Sequence, residues 1–88
     1  MDRTEYLNLC KKVSMFYPRV PEECFVEYDG TIYYPQAYQL SFVKGETIHT
    51  AILHDNSANS IVICSLDSVS LPSNNWVAKY FTKRKNAK

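Results

Sequence analysis

Apolar residues of the first segment recur at helical spacing. Tyr6, Leu9, Cys10, Val13, Phe16 and Tyr17 fall at i, i+3, i+4, i+7, i+10 and i+11, one stripe of a 3.6-residue period. The pattern predicts a helix within residues 1–17 that packs along that stripe. Asp2 with Glu5 three positions on, or Thr4 alone, supplies its N-cap, and Pro18 ends it. After the extended connector Pro18-Arg19-Val20-Pro21 the period changes to two. Cys24, Val26 and Tyr28 then share one side of a predicted strand, with Phe25 and Glu27 on the other.

Asp29-Gly30 follows, the strongest short hairpin signal, since both residues tolerate the positive φ of a type I′ turn. Thr31-Ile32-Tyr33-Tyr34 is the return strand, and Pro35 is expected to halt it. Ala37 to Val43 alternates again, with Tyr38, Leu40 and Phe42 on one face. Lys44-Gly45 makes a tight turn into the longest predicted strand, Glu46 to His54. Asp55-Asn56-Ser57-Ala58-Asn59 is a turn cluster. Ser60 to Ser65, with its unbroken run Ile61-Val62-Ile63-Cys64, reads as a buried central strand. Leu66 to Leu71 reads as a short turn and a closing strand, and Trp76, Val77, Tyr80 and Phe81 have the spacing of a short C-terminal helix.

These elements make one domain over residues 1–88: a helix in 1–17, a β meander in 24–71, and a C-terminal segment, 72–88, with a basic tail. The expected class is mainly β with an N-terminal α-helix. A small antiparallel SH3-like barrel is the first choice, because closure removes exposed edges. An open antiparallel sheet packed on the helix is the alternative.

Composition adds less than pattern. Hydrophobic residues at 45% and charged residues at 22% are ordinary for a globular chain. No window is long and apolar enough to span a membrane, and the charged opening Met1-Asp2-Arg3-Thr4-Glu5 does not lead into a signal sequence. Cys10, Cys24 and Cys64 are an odd, scattered set, so the expectation is a cytoplasmic protein with reduced structural thiols. Net charge is +1, but the last twelve residues hold five of the ten basic residues and none of the nine acidic ones. An acidic body therefore carries a basic tail.

The stretch Tyr33-Tyr34-Pro35-Gln36-Ala37-Tyr38-Gln39-Leu40-Ser41-Phe42, then Gly45, His49-Thr50-Ala51-Ile52-Leu53-His54-Asp55 and Ala58-Asn59-Ser60, resembles small uncharacterised proteins encoded on phages and conjugative elements of Gram-positive anaerobic bacteria. The resemblance covers about Val26 to Val69. It implies a mobile-element setting and gives no residue a catalytic role.

The sequence contains no phosphate-cradling glycine loop, no His-Glu-x-x-His and no Cys-x-x-Cys. His49 and His54 stand five apart on a strand, hence on opposite faces, and do not share a metal. His54 beside Asp55 has the makings of an acid–base pair, against the plainer reading that both serve the following turn. Cys64 with either histidine lacks a third group to orient a base. No catalytic residue, cofactor or metal is predicted.

Two binding readings stand. The first is a non-enzymatic module, encoded on a mobile element, that modulates or inhibits a larger host protein such as a defence nuclease. It would act through Tyr28, Tyr33 and Tyr34 with the acids Glu22, Glu23, Glu27, Asp29, Glu46 and Asp55. The second is a nucleic-acid-binding barrel that stacks bases on Tyr33 and Tyr34 and holds phosphates with Lys79, Lys83, Arg84, Lys85 and Lys88.

Overall fold

A computed structural model of the chain describes residues 1–55 and 57–72. The expected C-terminal helix and the five basic tail residues lie outside the described residues. The fold is mainly β with one N-terminal helix. Helix α1 is Arg3–Phe16, and strands β1 (Val26–Tyr28), β2 (Thr31–Val43), β3 (Glu46–Asp55) and β4 (Ser60–Ser65) follow. All neighbours are antiparallel in the order β1-β2-β3-β4, a meander curled into a half-barrel against α1. Ser70 closes back on β1 through one residue pair: Glu27 N–H donates to the Ser70 carbonyl at 2.8 Å, and Ser70 N–H returns the bond at 3.1 Å. The sheet is therefore open between β4 and β1 apart from that bridge, the second of the two expected arrangements. No helix among the described residues is long and apolar enough to cross a membrane.

Asp2 caps α1, its Oδ2 accepting from Glu5 N–H at 3.2 Å. The stripe packs through Tyr6, Leu9 and Val13, while its last members, Phe16 and Tyr17, are exposed. At the other end of the helix the Met1 amino group donates to the carbonyls of Leu66 and Val69, at 3.1 and 3.0 Å. The core joins these helix residues to Cys24, Phe25, Val26, Ile32, Tyr34, Ala51, Leu53, Leu66 and Val69.

Both two-residue turns form as read. Asp29 and Gly30 have φ of 51° and 77°, Lys44 and Gly45 of 50° and 79°, the double positive φ of a primed turn.

Four expectations need correction. The first strand does not begin at Cys24: Glu22–Cys24 is a turn of 3-10 helix, which buries both Cys24 and Phe25 instead of alternating them. Pro35 does not halt its strand. β2 runs through it, because β1 pairs no further than Tyr33 and one edge of Pro35 meets no strand that needs its missing N–H. The run Ile61-Val62-Ile63-Cys64 is not central. β4 is the sheet's edge with one face covered, so Val62 and Cys64 are half-buried while Ile61 and Ile63 are 56% and 68% exposed. Leu66–Ser68 is another 3-10 turn, and the expected closing strand reduces to the Ser70 bridge.

Candidate functional site

Two features distinguish this surface: a projecting arm and a cleft. The arm exists because β2 outruns its neighbours. Among the described residues, Ala37 to Val43 pairs only with β3, and Glu46 to His49 of β3 pairs only with β2. Paired residues share a face, so Tyr38, Leu40 and Phe42 lie with Ala51, His49 and Thr47 on one side. Ser41 and Val43 lie with Ile48 and Glu46 on the other. Leu40, Phe42, Val43 and Ile48 are all exposed, Phe42 at 74%. The Tyr38 hydroxyl hydrogen-bonds His49 Nδ1, and the two rings stack with centroids 5.9 Å apart. A lone two-stranded ribbon is marginal in water, and this aromatic pair stiffens the root of the arm.

The cleft is lined by the last turns of α1 and by a row of three residues that follow one another across the sheet. Its volume is about 580 Å³. The row is Tyr34 of β2, His54 of β3 and Ile61 of β4, consecutive partners across the ladder. From the helix come Cys10, Val13, Ser14 and Tyr17; Pro35, Gln36 and Asn59 complete the lining. A β-bulge shapes it. Pairing passes from Pro35–Leu53 to Ala37–Ile52, leaving Gln36 as an extra residue. The strand opposite the bulge is pinned by Tyr6, fully buried, whose hydroxyl donates to the Ile52 carbonyl at 2.8 Å. Asn59 reaches the cleft from a left-handed conformation, φ 51°, with Oδ1 3.5 Å from His54 Nε2.

The expected site residues scatter. Tyr28 and Tyr33 pack on each other, centroids 6.4 Å apart, both half-buried. Tyr34 is buried edge-on against Phe25. Glu22, Glu23, Glu27 and Asp29 surround this β1 end, whereas Glu46 sits at the tip of the arm, about 40 Å of strand away at 3.3 Å per residue. Asp55 is committed to its own turn: Oδ1 accepts from Ser57 N–H at 3.0 Å, Ser57 Oγ at 2.7 Å and Ala58 N–H at 3.2 Å. The plainer reading of His54-Asp55 is therefore the observed one, since the imidazole turns to Asn59 and the carboxylate to the turn. His49 and His54 occupy opposite faces, and no group of three metal-ligating side chains occurs among the described residues.

The thiols are structural in their surroundings. Burial pushes Cys10 up to about 11, against the smaller pull of its hydrogen bond with Tyr6, and burial likewise raises Cys24 and Cys64. All three are free. A thiol kept protonated is a poor nucleophile.

The Asp55 carboxyl lies below its ordinary range, held there first by the Ser57 hydroxyl and then by the amides of Ala58 and Ser57. A lowered folded pKa contributes stability that is present above the unfolded value, near 4, and lost as pH falls through the folded one. Asp55→Ala is expected to cost about 1 kcal/mol at pH 7, as for a lost cap. The difference from wild type should shrink below pH 4, read by thermal melts across pH.

Sequence reasoning missed Ser14, Gln36 and Asn59, the polar members of the cleft. A proline inside an otherwise alternating run was the available signal, because such a proline marks a bulge as readily as a strand end. No family model matches this chain, and no curated protein or solved structure matches it either.

Proposed function

We infer that the chain is a non-enzymatic binding module whose contact with a larger protein is made by the β2–β3 arm. The observation that carries this reading is the exposure of Leu40, Phe42, Val43 and Ile48 on a ribbon that packs on the core only at its root, through Tyr38. Exposed apolar side chains gathered on one element mark an interaction surface, whereas scattered ones do not. A second support is the open edge of β2. From Thr31 to Val43 it carries no charge, so beyond its bulge nothing opposes pairing with a strand of a partner.

The resemblance to mobile-element proteins suggests the setting: a cytoplasmic protein with reduced thiols that inhibits a host protein such as a defence nuclease. Glu22, Glu23, Glu27 and Asp29, grouped around Tyr28 and Tyr33, would meet a basic rim on that partner.

The test is co-purification of the tagged full chain from lysate of a Gram-positive anaerobe at low salt. A stoichiometric protein should be retained by the wild type. It should be lost by the triple change Leu40→Ser, Phe42→Ser, Ile48→Ser. Glu22→Gln with Glu23→Gln should only weaken retention and reduce its salt dependence. No stoichiometric partner, or one that survives the triple change, defeats the reading.

A further inference from the structure

We propose that the cleft along the Tyr34–His54–Ile61 row is a binding site for an uncharged nitrogen heterocycle of the nucleobase type, separate from the arm. Its volume of about 580 Å³ falls within the range of small-ligand pockets. Among the described residues its lining holds no Asp, Glu, Lys or Arg, so none of them offers a counter-charge to a phosphate or a fixed cation. Aromatic rings supply the apolar contact: Tyr34, His54 and Tyr17 all line the cleft, with the Tyr34 and His54 centroids 6.3 Å apart. The side chains of Gln36 and Asn59 each offer one donor and one acceptor, the pair that the edge of a heterocyclic base presents in return.

Two unusual backbone features deliver these amides. Gln36 is the extra residue of the bulge, and Asn59 holds a positive φ. Bulges re-aim side chains, and the strand opposite this one is tied to α1 by a fully buried tyrosine hydroxyl. The bulge that carries Gln36 is thus tied to core structure, and Tyr17, which follows the helix end, lines the cleft while mostly exposed.

The experiment is a two-dimensional amide NMR titration of the full chain with adenosine, adenosine monophosphate and N-acetyltryptophanamide as separate probes. Adenosine should shift amides around Ser14, Gln36, His54 and Asn59 with a Kd between about 0.1 and 1 mM. The monophosphate should bind about 3-fold or more weakly, having brought a charge that no described lining residue receives. Gln36→Ala, an exposed position, should weaken adenosine about 5- to 10-fold, and Phe42→Ser should leave it unchanged.

Several results overturn the proposal. They are the absence of localised shifts at millimolar adenosine, binding of the monophosphate as tight as that of the nucleoside, and insensitivity to Gln36→Ala. Tighter binding of the tryptophan amide at the same residues would assign the cleft to a peptide side chain, and it too overturns the nucleobase reading. Failure of the arm experiment touches none of these outcomes.

Discussion

Tyr6→Ala should cost about 3–5 kcal/mol and lower the melting temperature by more than about 15 °C. Tyr6 is fully buried, the first of the three side chains on the buried face of α1. A chain of this length has a total stability of about 4–13 kcal/mol, so the alanine variant stands close to the folding threshold. Tyr6→Phe separates the two parts of that loss. The ring stays and the cavity is avoided, but the Ile52 carbonyl, opposite the bulge, loses its buried hydroxyl partner. An unmet buried group costs about 1–3 kcal/mol. The phenylalanine variant should therefore melt about 5–15 °C below wild type, with faster amide exchange confined to the bulge. If it melts with wild type and the bulge amides exchange no faster, the hydroxyl does not hold the bulge.

That tyrosine shows where sequence reading succeeds and where it stops. The spacing of Tyr6, Leu9 and Val13 identifies the buried helical face, because a local period reports which side must leave water. Asp2 as cap and the two turns at Asp29-Gly30 and Lys44-Gly45 are local in the same sense, and all form as expected. What the hydroxyl of Tyr6 does is not local. It meets Ile52 across 46 positions of chain, and no periodicity encodes such a contact.

The misread segments share a cause. The run Ile61-Val62-Ile63-Cys64 has the composition of a strand covered on both faces. Its neighbours decide otherwise: among the described strands only β3 pairs with it, and it is left an edge with Ile61 and Ile63 exposed. Pro35 reads as a stop because a central strand needs its N–H, yet β1 is too short to demand it there. The cleft was illegible for the same reason. Its lining comes from positions 10 to 61, brought together by the bulge, the helix end and the turn at Asn59.

Leu53→Ala and Phe42→Ala make the sharpest contrast within one sheet. The side chains lie on the same face: Leu53 pairs with Pro35, and Phe42 lies farther out beyond Tyr38. Leu53 is fully buried in the core, so its truncation should cost about 2–5 kcal/mol, transfer plus cavity. The larger phenylalanine is 74% exposed, and its removal should change stability by no more than about 0.5 kcal/mol. Urea denaturation of both variants reads the difference directly. A Phe42→Ala variant destabilised as much as Leu53→Ala would mean that the arm folds back into the core and has no free face to offer. With stability unchanged, any loss of partner retention on altering the arm is a loss of contact rather than of fold. An exposed aromatic that folding does not require has its use in contact with another molecule, and the two measurements together isolate that use.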